Sequence, residues 1–237
     1  MKDVQERPLP GVIVTIGARA VRVSSTAPLV VLSSAVVGGG YASTREILNV
    51  HVDDKYDGER PDEDLAAVAE ELGVDGPFVG LMTAAYTQFA RCATESLRAL
   101  TVAAVVSVGL SNTSSAGVTP PIGAHSENAP MPGPGTINVI LLVDGALTPA
   151  AMVNAVITAT EAKTMTLAAW DVKTPEGGDA SGTSTDTVVV ACTGRGEALS
   201  YAGPATQVGW LAARAVRAAM TQVCEEKVAR DGGRDGW

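Results

Sequence analysis

Short hydrophobic runs, each bounded by glycine or polar residues, recur along the chain and predict a set of buried β-strands. The strongest are "TVAAVVSVGL" (101–110), "TINVILLVDG" (136–145) and residues 186–192. "GVIVTI" and "ARAVRVS" lie on either side of Gly17 and predict a β-hairpin with a short turn. Further strands are predicted at 28–40, which runs into three glycines, at 46–52 and, as a short element, at 78–85.

Helical patterns lie between these strands. Pro61 and the acidic residues after it suit the first turn of a helix over 61–74. Thr148, followed by a proline, is typical of the start of a second helix, which extends over 149–170. The remaining helical segments are predicted at about 206–229 and from the end of strand 78–85 to about Ala99.

This alternation of strands and helices, with antiparallel hairpins, predicts an α/β fold (mixed α+β). We expect a layered single domain over residues 1–237, with a mixed sheet and flanking helices. Residues 111–135 have no periodicity and are rich in Gly, Pro and Ser. A connection this long is typical of a binding loop or a disordered segment, and we favour a binding loop. Residues 230–237 are expected to form a flexible tail.

The net charge of −9 comes almost entirely from one segment. Residues 53–75 contain ten acids and two bases, whereas the rest of the chain has 16 acids and 15 bases. A solvated acidic face explains this segment more simply than a binding surface for a cation. A nucleic-acid-binding protein would carry a basic patch, and the sequence shows none, so no nucleic-acid partner is expected.

The cysteines and the N-terminus predict a cytoplasmic protein with no membrane partner. Cys92, Cys192 and Cys224 are scattered and lack the spacing of a zinc site, so we expect reduced thiols. Cys192, at the end of a predicted strand, is interpreted as a small packing residue rather than a nucleophile. The first residues lack the apolar core of a signal peptide, and no run reaches the ~18 apolar residues of a membrane helix.

Polar side chains recur where predicted strands end beside glycine. The stretch "GGDASGTSTDTVVVACTG" (177–194) places Thr183, Ser184, Thr185 and Asp186 directly before a buried strand. This is either an ordinary strand entry or one wall of an active site. If such groups gather at one sheet edge, their backbone N–H groups can bind an anionic oxygen. The same pattern is found at Ser34, Thr83, Asn112, Thr136 and Asn138.

Few ionisable groups outside this cluster are candidates for catalysis. Glu161 and Lys163 lie two positions apart on helix 149–170, about 200° of rotation, so only one of them can face a pocket. A serine-hydrolase triad would need His51 or His125, the only histidines. The chain contains no GxSxG elbow, HExxH pair, P-loop or Rossmann fingerprint, so motifs predict no metal or nucleotide site.

In chain order, "SSAVVGGG", "ILNVHVD", "GLMTAA", "VGLSN", "GTIN", "EAKT", "GTSTDTVVVA" and "YAGPATQVG" resemble the adenosylcobinamide amidohydrolase family, over residues 28–218. The resemblance implies an enzyme that hydrolyses the amide joining aminopropanol to the corrin ring of adenosylcobinamide. The products would be adenosylcobyric acid and 1-amino-2-propanol, in corrinoid salvage for coenzyme B12 synthesis. The corrinoid would then be the substrate, and no cofactor is expected; a metal requirement is not determined.

For this reaction we assign roles to particular residues as a hypothesis of our own. Asp186 is expected to activate either water or one of the hydroxyls of Thr183, Ser184 and Thr185. Backbone N–H groups near Gly182 are expected to bind the oxyanion. Either Lys163 or Glu161 would protonate the leaving amine. Residues expected to contact the corrinoid are Ser34, Asn49, His51, Thr83, Asn112 and Asn138.

Two other functions remain compatible with the sequence. One is an amidase or peptidase for another substrate, and the other is a corrinoid-binding protein without catalysis. A carrier has no use for a hydroxyl beside a carboxylate, so the cluster at 183–186 favours catalysis. The small-residue strands and the Ala-rich last helix would suit a homo-oligomer.

Overall fold

A nine-stranded mixed sheet is the largest element of the structure, a computed structural model that describes residues 3–54, 56, 58–121 and 135–231. Together with three helices it forms a single domain, and the predicted α/β (mixed α+β) layered fold is confirmed. The strands are β1 (Val4–Leu9), β2 (Val12–Ile16), β3 (Ala20–Ser33), β4 (Gly40–His51), β5 (Phe78–Thr83), β6 (Arg91–Leu97), β7 (Leu100–Val108), β8 (Thr113–Ser114), β9 (Ile137–Val143), β10 (Ala146–Leu147), β11 (Gly182–Thr183), β12 (Thr187–Cys192) and β13 (Ala198–Leu199). The helices are α1 (Pro61–Glu71), α2 (Pro149–Ala169) and α3 (Gln207–Asp231).

The main sheet follows the order β1-β2-β3-β12-β9-β7-β6, and β4 joins β3 to the outer strand β5. Its pairs are antiparallel except β9 with β12 and β4 with β5, which are parallel. β9 is buried along its whole length, and all of its residues except Asn138 are apolar. The strand starts of β9 and β12 therefore lie side by side, with Thr187 opposite Asn138.

The sheet curls over on itself. Leu9 and Val14 of the first two strands share one buried cluster with Val105 and Ile140, although β1 and β2 do not pair with β7 or β9. Such contacts require the two ends of the sheet to approach each other across an apolar interior. Alternate residues along each strand, such as Val12, Val14 and Ile16 of β2, face this interior and fill it.

The outer face of the sheet is covered by α2 and α3. Ala151, Ala155 and Ala159 of α2 are fully buried, and so are Ala212 and Ala215 of α3. Small side chains at these positions let helix and sheet approach closely, which compensates for the low aromatic content. Thr148 caps α2 as predicted, since its side chain accepts a hydrogen bond from Ala151 N.

Two expectations about elements were wrong, and the edge strand β1 was missed. The segment up to Ala99 is a short 3₁₀ turn (Thr87–Phe89) followed by β6, because pairing with β7 outweighs local helical preference. The hairpin strand and the strand at 28–40 are one element, β3, with an irregularity between Ser24 and Leu29. β1 was missed because it is an edge strand with largely exposed polar residues.

The acidic segment 53–75 lies mostly at the surface. The acidic residues of α1 are exposed, while Leu65, Val68 and Ala69 face the strands beneath, as the solvated-face interpretation predicts. The prediction of a flexible tail concerns residues 230–237, of which 232–237 lie outside the described part of the chain. Within the described residues, no helix is long and apolar enough to cross a membrane.

Cys192 is a buried packing residue at the end of β12. Burial raises the pKa of its thiol to about 12, so almost no thiolate forms near neutral pH. A nucleophilic cysteine needs the thiolate, so this residue does not suit that role. Burial is also the main reason why the pKa of the Cys92 thiol rises to about 12, and Glu6 contributes further to this increase.

Cys192 makes the stability of the protein depend on alkaline pH. Above about pH 9 the unfolded chain releases the thiol proton, while the folded protein keeps it up to its raised pKa. The free energy of unfolding should therefore fall with pH by up to about 1.4 kcal/mol per unit between these limits. Urea unfolding from pH 8 to 11 tests this, and Cys192→Ala should show a shallower slope; an unchanged slope contradicts it.

Candidate active site

Asp186 lies at the centre of a polar cluster where β9, β11 and β12 meet. One carboxylate oxygen, Oδ1, accepts hydrogen bonds from Ile137 N (3.0 Å) and from the Thr183 hydroxyl. Thr183 N lies 3.2 Å from each carboxylate oxygen. Asp186 therefore fixes the entry to β12. Its carboxylate, a potential base, also holds the Thr183 hydroxyl in direct contact.

Lys163 completes this cluster from α2. Its Nζ forms an ion pair with Asp186 Oδ2, and the two side chains are only 8% and 14% exposed. Glu161, two positions earlier, is exposed to solvent on the other side of the helix. The structure thus places one member of the predicted pair in the site and leaves Glu161 outside it, as the helical rotation requires.

The absence of a side chain at residue 182 permits this contact. A Cβ built on Gly182 would overlap Asp186 Oδ2 and lie 2.5 Å from Lys163 Nζ. The backbone of Gly182 is buried and pairs with Ser114 of β8. The φ of Gly182 lies outside the left-handed region, so its backbone conformation does not demand glycine. Glycine is required here because the backbone lies so close to the ion pair.

Ser184 and Thr185 occupy the exposed turn between Thr183 and Asp186. Ser184 Oγ accepts a hydrogen bond from Asn112 Nδ2 (2.8 Å), and Thr185 Oγ1 donates to Gly135 O (2.8 Å). Asn112 is buried, and its Oδ1 has no hydrogen-bond partner among the described residues. The hydroxyl that contacts Asp186 is therefore that of Thr183, while the other two bond elsewhere.

Asn49 and Asn138 form a buried network behind the cluster. Asn138 Nδ2 donates to Asn49 Oδ1 and to Met82 O, both at 2.8 Å, and Asn49 Nδ2 donates to Ser107 Oγ at 2.9 Å. Both asparagines are 1% exposed. They join β4, β5, β7 and β9 across the curled sheet, so their side chains support the site from inside rather than lining it.

Asn138→Leu should destabilise the fold. The variant leaves Asn49 Oδ1 and Met82 O buried without a donor, and each such group costs about 1–3 kcal/mol. We expect the free energy of unfolding to fall by about 2–4 kcal/mol. Chemical denaturation measures this difference. Asn154→Leu, at a half-buried position on α2, is the control and should have nearly wild-type stability. Equal stability of both variants would argue against the network.

The other predicted substrate contacts lie at strand ends: Ser34 follows β3, whereas His51 and Thr83 end the paired strands β4 and β5. Ser34 is exposed and its Oγ accepts from Val188 N (3.2 Å), which ties the end of β3 to β12. Thr83 is buried, and its hydroxyl accepts from Ala85 N (3.0 Å). His51 lies opposite Thr83 in register and is half-buried, with Nδ1 3.1 Å from Ala85 O. His125 lies outside the described residues.

A cleft of about 260 Å³ lies where β5 and β7 end. Most of the residues that line it were not predicted from the sequence. Tyr86 and Phe89 come from the segment expected to be helical, so their position at a strand end could not be predicted. Ser111, which precedes Asn112, connects this cleft to the polar cluster. The remaining lining residues include Ala84, Ala85, Val108, Gly109, Leu110, Val223, Lys227 and Arg230.

The cluster combines three groups that amide hydrolysis requires. The Thr183 hydroxyl is a potential nucleophile, Asp186 a potential base and Lys163 a potential proton donor. Among the described residues, no group of three His, Cys, Asp or Glu side chains is arranged to hold a metal ion. These groups make the cluster a candidate hydrolytic centre at the start of β12.

Residues 13–232 match the sequence model of the family described as adenosylcobinamide amidohydrolase. The chain belongs to this family. The match includes the whole polar cluster and all the strands that position it. The resemblance inferred from "GTSTD" and "EAKT" is therefore confirmed.

Curated relatives have the same name. An adenosylcobinamide amidohydrolase of Halobacterium salinarum is 36% identical over 156 residues, 66% of this chain and 62% of that protein. One of Methanosarcina mazei is 29% identical over 182 residues, 73% of this chain and 79% of that protein. Among solved structures, the PH0078 protein from Pyrococcus horikoshii has a TM-score of 0.47 at 15% identity, covering 88% of this chain and 78% of that chain.

Proposed function

We propose that this protein hydrolyses the amide that joins aminopropanol to the corrin ring of adenosylcobinamide. Membership of the family supports the substrate class, and one observation supports catalysis: Lys163, Asp186 and Thr183 converge in direct contact at the sheet edge. In the reaction, water adds to the carbonyl carbon and the C–N bond breaks. The products are adenosylcobyric acid and 1-amino-2-propanol, a step of corrinoid salvage for coenzyme B12.

In the proposed mechanism, Asp186 activates the attacking oxygen. Thr183 already donates its hydroxyl proton to Asp186 Oδ1, so attack by Thr183 Oγ1 on the amide carbon would transfer that proton to the carboxylate. An ester to Thr183 forms as the amine leaves, and water then hydrolyses this ester. Direct activation of water by Asp186 gives the same net reaction without the ester.

Lys163 is proposed to supply the proton that the leaving amine needs. Its side chain is 8% exposed, and its ammonium group is paired with the same carboxylate that accepts the hydrogen bond from the Thr183 hydroxyl. Amines are poor leaving groups unless protonated, and general acid catalysis contributes about 10²–10⁴-fold to such steps. Lys163 is preferred to Glu161 for this role because Glu161 is exposed to solvent on α2.

We further propose that the corrinoid enters as substrate, with no resident cofactor, and that the reaction takes place in the cytoplasm. The exposed hydroxyls of Ser184 and Thr185 and the cleft beside Ser111 would contact the substrate. Because the chain spans 62% of the Halobacterium protein, its activity is tested directly on this chain.

The decisive assay incubates the purified protein with adenosylcobinamide and measures free 1-amino-2-propanol and adenosylcobyric acid by mass spectrometry. Release of both in equal amounts is expected. A corrinoid carrier would bind the ring and shift its visible spectrum without releasing amine. An amidase for another substrate would produce neither result. Either outcome would contradict the proposed activity.

A further inference from the structure

Three rings form a ladder at the rim of the cleft. His51 and Tyr86 have ring centroids 5.2 Å apart with an interplanar angle of 34°, and Tyr86 meets Phe89 edge-on at 6.2 Å. The guanidinium of Arg230 lies 4.1 Å from the centroid of Phe89. Such a concentration is unusual in a chain with only 4% aromatic residues.

The ladder is held rigidly. Phe89 N donates to Tyr86 O (3.0 Å), so both rings belong to one turn. The buried hydroxyl of Thr87 ties this turn to Gly17 O (2.7 Å) of the first hairpin. His51 is fixed by its contact with Ala85 O. Tyr86 nevertheless remains 60% exposed, so packing in a hydrophobic core does not explain the position of its ring.

The ladder also lies between two clefts. Tyr86 and Phe89 line the cleft of about 260 Å³ that reaches Ser111. His51 lines a second cleft of about 320 Å³. His51 also follows Asn49 on the same face of β4, so the ladder begins where the buried amide network ends.

From this arrangement we propose that His51, Tyr86 and Phe89 form a stacking site for the adenine base of the substrate's adenosyl group; this rests on the proposed function. An adenine base is flat and open on both faces, so an exposed tyrosine ring can cover it fully. The corrin macrocycle carries amide side chains and methyl groups on both faces, which keep a protein ring at a distance. The base is the part of the substrate that the Tyr86 ring fits.

The test compares binding of two corrinoids by equilibrium dialysis, with corrinoid absorbance as the readout. All proteins compared also carry Lys163→Met and Asp186→Asn, so that adenosylcobinamide is not hydrolysed during dialysis. One is adenosylcobinamide and the other is the same cobinamide with cyanide in place of the adenosyl group. For Tyr86→Ala, we expect the Kd for adenosylcobinamide to rise about 10-fold, since stacking on one aromatic ring is worth about this factor. The Kd for the cyanide form should stay within about twofold.

Two variants serve as controls. Tyr86→Phe keeps the ring and should bind both corrinoids as the wild type does. Tyr41→Ala removes a tyrosine that is also 60% exposed but lies at the start of β4, outside both clefts, and should change neither Kd. An equal loss for both corrinoids in Tyr86→Ala, or no loss for either, overturns the adenine site.

A separate measurement distinguishes this inference from the proposed function. If the wild type binds no corrinoid, saturation-transfer NMR with 5′-deoxyadenosine alone tests the ladder. Transfer to the adenine protons in the wild type, lost in Tyr86→Ala and kept in Tyr86→Phe, supports the site without the enzymatic activity. Absence of transfer in the wild type overturns it.

Discussion

Replacing Asp186 with asparagine is expected to lower kcat for adenosylcobinamide by about 10²–10⁴-fold, the usual contribution of a general base. Asparagine has nearly the same shape but cannot accept the proton of Thr183 or of water. It also leaves the ammonium of Lys163 without its counter-ion at a site where the two side chains are 8% and 14% exposed. Steady-state release of aminopropanol measures the loss of rate.

The same substitution should destabilise the fold, because an unpaired buried charge costs about 3–5 kcal/mol. A loss of rate could then reflect a loss of folded protein. The double variant Lys163→Met with Asp186→Asn separates the two effects, since it removes both charges. We expect it to regain most of the stability, measured by urea unfolding, and to remain inactive. A single Asp186→Asn variant with near wild-type kcat would remove Asp186 from the mechanism.

Adding one methyl group at residue 182 should have the second largest effect. In Gly182→Ala the new Cβ would overlap Asp186 Oδ2 and crowd Lys163 Nζ, so the ion pair must shift. A displacement of about 1 Å in a catalytic group can cost about 10²-fold in rate, and we expect kcat to fall by about this factor. Overpacking should also lower the free energy of unfolding by about 1–3 kcal/mol.

Gly178→Ala, in the turn before β11, is the matched control. A Cβ at Gly178 meets only Thr174 Oγ1, at 3.7 Å, which is an ordinary van der Waals contact. This variant should keep wild-type kcat and stability. A crystal structure of Gly182→Ala should show the Lys163 ammonium displaced from Asp186. If Gly182→Ala retains full activity with the pair displaced, the direct contact between Lys163 and Asp186 is not needed for catalysis.

The position of the candidate site could be predicted only in part. The concentration of hydroxyls before a buried strand pointed to residues 183–186, and helical geometry showed that Glu161 and Lys163 could not both face it. Choosing Lys163 required the orientation of α2 on the sheet, because nothing local distinguishes the two faces of the helix around these residues. Asn49 and Asn138 were expected to contact substrate, but both are buried in the network. The sequence pattern alone does not show whether a polar residue in a strand is buried.

Local signals in the sequence determined most of the elements: the apolar runs of β7, β9 and β12, the Thr148 cap of α2 and the acidic solvent face of α1. Tertiary structure decided which elements meet. β6 became a strand because β7 offers it a partner, and Asn49 reaches Asn138, 89 positions away, because the sheet curls. Strand order and curl arise from many weak contacts between distant residues, so no short stretch of sequence encodes them.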